Sequence, residues 1–190
     1  MSLGLKKGSI ELVYFDPEWD KLAKKLIEKL WNVFEVNAID IQHIGSTAIK
    51  NIMAKPIIDI AVGVTNFKVI DALITKLEKI DVVRSSGQPF HDIVLFSIEE
   101  NGVRTYNVQI VIINDLQWTN HIIFRNYLNT FPEKANQYEK IKCDSAKKCD
   151  NDLIIYNNGK SEFIKNAWMK DINIIIRKKI MYGTTAHNKR

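Results

Sequence analysis

The chain has 190 residues, 46% of them hydrophobic and 26% charged, with a net charge of +5; these are proportions of a globular core, not of a disordered or disulfide-stapled chain. No apolar run approaches the roughly 18 residues of a membrane helix, and Lys6, Lys7 and Glu11 interrupt the first 15 residues, so neither a span nor a signal-peptide core is expected and the cytoplasm is the expected compartment. From Pro132 onward 13 Lys and Arg stand against 7 Asp and Glu, but these lysines are scattered and lack interleaved aromatics, which favours a solvated helix face over a nucleic-acid surface.

In chain order, Ser9 to Phe15 alternates loosely and is expected as a first strand. Asp16-Pro17 then offers an N-cap and a first helical residue. Trp19, Leu22, Ala23, Leu26, Leu30, Val33 and Phe34 recur at helical spacing, with Lys21, Lys24, Lys25 and Lys29 turned outward. Two apolar strands, Ile39 to Ile44 and Ile57 to Val64, follow around a Gly-Ser-Thr turn. A second helix is expected from Asn66 through Leu77. Val82-Val83, Ile93 to Ile98 and Val103 to Ile113 read as strands, and Asn101-Gly102 between the last two is a strong hairpin signal. Asp115 caps a helix that Pro132 stops; Glu133 to about Lys148 forms a polar helix, and a last helix opens near Gly159-Lys160-Ser161 and runs to about Ile180. The expectation is one domain: a core at about 10–130 with a mixed sheet of four or five strands, a helical C-terminal region at about 131–182 and a frayed tail at 183–190. Cys143 and Cys149, with five residues between them, fit neither a zinc knuckle nor a CxxC pair and are expected as reduced surface thiols.

The stretch from Gln42 to Val64, QHIGSTAIKNIMAKPIIDIAVGV, carries the chemistry. A strand delivering Gly45-Ser46-Thr47 into a helical turn gathers N–H groups and hydroxyls at one spot, an arrangement suited to phosphate; the plain alternative is a helix cap with no ligand. Asp59 is the only acid of the second strand, set among isoleucines, where a carboxylate needs a cation, a donor or solvent. Lys55 lies between them in sequence. His43 would share the facing of Gly45 if the strand extends that far, as a ligand or as a hydrogen-bonded core histidine. Ala61, two residues beyond Asp59, should face the same cleft. The four histidines fall in no recognisable nucleophile motif, so Ser- or Cys-based catalysis has little support.

HIGSTA followed by AKPIIDI resembles the GrpB (UPF0157) family, a branch of the nucleotidyltransferase superfamily. The resemblance extends to Tyr14-Phe15-Asp16-Pro17-Glu18-Trp19, to Arg104-Thr105, to Phe124-Arg125-Asn126-Tyr127-Leu128 with Pro132, and to Tyr156, Lys160 and Phe163, covering about residues 10–170. It implies an α/β (α+β) fold, a nucleotidyltransferase-like mixed sheet flanked by helices. It also implies that Gly45, Ser46 and Thr47 hold the phosphate of a nucleotide or phosphorylated small molecule, that Asp59 holds Mg²⁺, and that Lys55 or Lys160 meets the spreading charge, with Arg104, Arg125 and Lys142 as further phosphate partners. Two-metal nucleotidyl transfer in the superfamily typically uses a second acid two residues on, where this chain has Ala61, and the GrpB resemblance implies histidines in the late strand where it has Asn107 and Gln109, and Glu where it has Gln42. Ionisable groups have become amides, which still hydrogen-bond a ligand. Two expectations follow: a Mg²⁺-dependent nucleotidyltransferase, or a catalytically silent module that binds a nucleotide or small ligand and has lost the metal cluster.

Overall fold

A computed structural model describes residues 3–85 and 92–167. Its centre is a six-stranded mixed sheet made of β1 (Leu5–Lys6), β2 (Ala38–Ile44), β3 (Ile58–Val64), β4 (Val83–Arg84), β5 (Ile93–Glu100) and β6 (Val103–Ile112). The order is β2-β3-β6-β5-β4. β3 runs parallel to β6, with Asp59 opposite Asn107 and Ala61 opposite Gln109, while β2 and β5 pair antiparallel on either side. The hairpin between β5 and β6 turns at Asn101 and Gly102, both at positive φ (51° and 75°), the conformation for which an Asn-Gly pair is suited.

Four helices are fully described: α1 (Glu18–Phe34), α2 (Val69–Glu78), α3 (Leu116–Thr130) and α4 (Pro132–Lys148). A fifth, α5, is described over 153–167. Asp16 accepts a hydrogen bond from the Glu18 N–H at 2.9 Å and Asp115 caps α3 through the Leu116 N–H at 2.7 Å. The apolar stripe of α1 and Ile70, Leu73 and Leu77 of α2 cover one face of the sheet, packing on Ile58, Ile60, Val62, Val64, Val108 and Ile110. A fully buried Leu or Ile of this kind contributes roughly 1.5–3 kcal/mol by leaving water. The opposite face is shared. Trp118 and Ile122 of α3 close over Ile44, Ala61, Ile93 and Val111, and α3, α4 and α5 enclose Ile49 and Ile52 with Phe124, Leu128, Tyr138 and Phe163. Among the described residues, cavities remain on this sheet face beside Asp59, Asn107 and Gln109.

The sheet has six strands where four or five are expected, α2 starts at Val69 and not at Asn66, and the fold departs from expectation at three further places. Ser9 to Phe15 forms no strand: only Val13 bridges, to Ala54, and the first strand is the two-residue β1, which lengthens the sheet beside the first residues of β6. The last helix begins at residue 153, not near Gly159, because Asp152 accepts from the N–H groups of Ile154 and Ile155 and caps it there. Cys149 is buried, its thiol against the Ala146 carbonyl at 3.2 Å, and only Cys143 is partly exposed. The expected course of the last helix beyond 167 and the 183–190 tail lie outside the described residues. Among the described residues no helix is long and apolar enough to cross a membrane.

Candidate functional site

At the end of β2 the chain reverses through Gly45 (φ 71°, ψ −169°) into a single 3-10 turn, Ser46–Ala48. That backbone conformation belongs almost solely to glycine. A Cβ here would collide with the Asp59 carboxylate, so the glycine lets the turn lie directly on the acid. Because the turn is only three residues long, what it offers the cleft is the Ser46 side chain rather than the end of a long helix.

Ser46, Lys55, Ile57, Asp59, Asn107, Tyr156 and Lys160 line one cavity of about 160 Å³. Asp59 forms its floor. The Asn107 amide donates to Asp59 Oδ1 at 2.9 Å, and Arg104 donates to Asn107 Oδ1 at 3.4 Å while also pairing with Glu99. Lys55 and Lys160 converge on the ring of Tyr156, their Nζ atoms 5.5 and 4.6 Å from its centroid. Behind Ser46 stands Tyr138, whose hydroxyl lies 3.5 Å from the Ser46 Oγ. The ring of Tyr138 carries the buried Lys142, which donates to the Met53 carbonyl.

Burial sets the protonation balance. It pushes the Asp59 carboxyl above the usual range, opposed by the Asn107 hydrogen bond and by Lys55, Lys160 and Arg104. Burial lowers Lys55, and with the repulsion of Lys55 it brings Lys160 down to about 8 against the attraction of Asp59. Lys142 falls to about 7, through burial first and Lys160 second. Several basic side chains therefore gather round one acid, a field that attracts an anion.

The predicted site residues divide. Gly45, Ser46, Lys55, Asp59, Asn107 and Lys160 meet in this cleft. Gln109 lines a neighbouring cavity of about 280 Å³ with Ser85, Ile93, Leu95, Phe96, Arg104 and Asn107. His43 does not join them: strand alternation turns it to the α1 face, where Nδ1 lies 3.3 Å from Asp20 and Nε2 lies 3.0 Å from the Thr47 hydroxyl. Burial lowers His43 to about 4, more than Asp20 raises it, so the Asp20 contact is a hydrogen bond from a neutral ring. Thr47 is spent on that bond. Arg125 donates to Gln42 Oε1 and to the His43 carbonyl, both at 2.8 Å, fastening α3 to β2. Tyr138 was not foreseen: it sits on a polar helix whose sequence gives little periodicity, and its only sequence signal is an aromatic in a run of charge.

The donor set is a poor match to a two-metal centre. Among the described residues Asp59 is the one acid lining the cleft, its Oδ1 already takes a hydrogen bond, and its charged neighbours are the cations Lys55, Lys160 and Arg104. Among the described residues no three His, Cys, Asp or Glu side chains group to hold a metal. Ala61 shares the sheet face of Asp59 but is fully buried beneath Trp118 and Val111, so it does not open into the cleft as its spacing suggested.

A family profile described as GrpB protein matches residues 9–170. The glutamate-rich protein GrpB of Alkalihalophilus pseudofirmus is 35% identical over 168 residues, covering 85% of this chain and 95% of that one. The UPF0157 protein YqkA of Bacillus subtilis is 28% identical over 161 residues, and there the chain spans only 47% of the relative's length. The crystal structure of the conserved protein GrpB from Enterococcus faecalis superimposes with a TM-score of 0.70 at 25% identity, covering 83% of this chain and 99% of that one.

Proposed function

The chain belongs to the GrpB family, and on that premise we propose that the Asp59 cleft binds the phosphate of a nucleotide or another phosphorylated small molecule, with lysine side chains in the place of a divalent metal. The observation that carries this is the convergence of Lys55 and Lys160 on Tyr156 above Asp59 and Ser46 in one cavity. Two ammonium groups supply point charges to phosphate oxygens, and the Ser46 hydroxyl supplies a rotatable donor. Asp59 serves two states. Ionised, it holds the lysines in an empty cleft; with an anion bound nearby its ionised form is disfavoured further, so it takes up a proton and can donate to a phosphate oxygen.

The resemblance to nucleotidyltransferases supports a nucleotide as the ligand, whereas the donor set supports binding better than metal-assisted transfer. Calorimetry with ATP, GTP, CTP, UTP and pyrophosphate, each with Mg²⁺ and with a chelator, tests the proposal. Binding that persists in the chelator, with no pyrophosphate released, is the expected result. Binding that requires Mg²⁺ and releases pyrophosphate would replace it with a transferase. Failure of all four nucleotides and of pyrophosphate to bind would end it.

A further inference from the structure

The 280 Å³ cavity beside the Asp59 cleft shares Asn107 and the same sheet face with it. Its residues follow from the register: Gln109 is two residues beyond Asn107 on β6 and pairs with Leu95 on β5. Ile93 and Leu95 supply an apolar wall, and both belong to or pack on the cluster that α3 closes. Ser85 stands at the far edge, its N–H bonded to the Leu95 carbonyl at 2.9 Å and its hydroxyl to Ser97 at 3.1 Å. Gln109 is only partly buried, and among the described residues no hydrogen bond to its side chain is found. Gln42, the other glutamine of this face, is by contrast held by Asp40 and Arg125. With no partner among the described residues, the Gln109 carboxamide presents a donor and an acceptor side by side.

Two residues of a strand advance about 6.6 Å, comparable with the span from a 5′-phosphate to the base it belongs to. The cavity is also lined by Arg104, Asn107 and Ser85; within that polar rim, an apolar wall beside an amide that has no partner among the described residues suits a heteroaromatic ring with adjacent donor and acceptor atoms. We propose that this second cavity is a nucleoside subsite, in which Gln109 hydrogen-bonds the edge of a base lying against Leu95 and Ile93, so that the chain's ligand is a nucleoside 5′-phosphate. The inference rests on the phosphate reading of the Asp59 cleft, and assigns Gln109 as a specificity-determining residue that the phosphate does not touch.

The experiment compares inorganic phosphate, ribose 5-phosphate, AMP, GMP, CMP and UMP by calorimetry in chelator, using the full chain. At least one nucleoside monophosphate should bind roughly tenfold more tightly than ribose 5-phosphate or better. Gln109→Leu should erase most of that advantage and leave ribose 5-phosphate affinity unchanged. Leu95→Trp, which fills the cavity without touching Lys55 or Lys160, should do the same and supplies a second route if the first variant folds poorly. Equal affinity for ribose 5-phosphate and all four nucleotides overturns the subsite while the phosphate site stands. An advantage that survives both substitutions overturns it equally. If none of the six compounds binds, the phosphate reading has failed and the subsite falls with it.

Discussion

Asn107 stands directly across the parallel β3–β6 pair from Asp59 and donates its amide hydrogen to the carboxylate at 2.9 Å. This bond is the foremost of the influences that oppose the burial of Asp59. Asn107→Ala should therefore raise the carboxyl further. A pKa raised in the folded state means that the native protein holds this proton more tightly than the unfolded chain, so the Asp59 contribution to stability is present at low pH and lost as pH rises through the folded value. The variant should lose more stability than the parent between acid and neutral pH, as followed by urea unfolding at a series of pH values. Identical pH profiles would mean that Asp59 escapes to solvent when its partner is removed.

Lys160 titrates in the opposite sense. Its folded value of about 8 lies below the ordinary 10.5, so between these limits the unfolded chain binds more protons and stability rises with pH. Lys160→Met should flatten that rise in unfolding experiments. Phosphate binding should weaken in the parent as pH passes about 8 and the ammonium is lost. Lys160→Met should bind weakly at all pH values with a flatter profile.

Ala61→Asp would restore the second carboxylate of a paired metal site only if residue 61 opened into the cleft. Packed under Trp118 and Val111, the new charge would be buried without a cation, at a cost of roughly 3–5 kcal/mol. Differential scanning fluorimetry should show a large fall in melting temperature, and Mg²⁺ should not reverse it. Rescue by Mg²⁺ would revive the two-metal reading.

Gly45→Ala meets both a glycine-only backbone conformation and the Asp59 carboxylate. The backbone cost alone is about 1–3 kcal/mol, visible in thermal unfolding. Because the collision moves the turn off Asp59, phosphate affinity should fall even at temperatures where the variant is fully folded.

Arg125→Ala removes the bonds to Gln42 and to the His43 carbonyl. Hydrogen bonds from a charged donor of this kind are worth roughly 1.5–3 kcal/mol, so stability should drop by about that amount. Ligand affinity should be unchanged within error, because the guanidinium is committed to the α3–β2 junction. A loss of affinity matching that of Lys160→Met would place Arg125 in the site after all.

The long strands and the first helices were legible because their signal is local: apolar runs in β3 and β6, Asn101-Gly102 at the hairpin, and an apolar stripe from Trp19 to Phe34 in α1. Asp59 was legible for a related reason, as one acid in a strand of isoleucines. The two-residue β1 carries no such pattern and exists through pairing with distant Val103 and Arg104. The start of α5 was hidden by Asn157-Asn158-Gly159, which resemble a breaker, whereas the Asp152 cap and burial of Tyr156 draw the helix through them. His43 was assigned a facing by continuing the strand rule through Gly45, yet the positive φ of Gly45 ends that alternation. Tyr138 and Lys142 became visible only in three dimensions, where contacts across more than eighty residues bury them against Ser46 and Met53.

The walls of the cleft are also separated in time. Ser46, Lys55, Asp59 and Asn107 leave the ribosome before Tyr138, Tyr156 and Lys160, and at a synthesis rate of about 5–20 residues per second the interval amounts to seconds. During that interval the growing chain already contains every residue of β1 to β6 and the buried acid, but it lacks the aromatic ring and one of the two lysines that complete its surroundings. On the proposed reading, competence to capture an anion would be acquired late in translation, after the sheet sequence is finished, and a nascent chain stalled before residue 156 would lack Tyr156 and Lys160 and would not withdraw ligand from the pool.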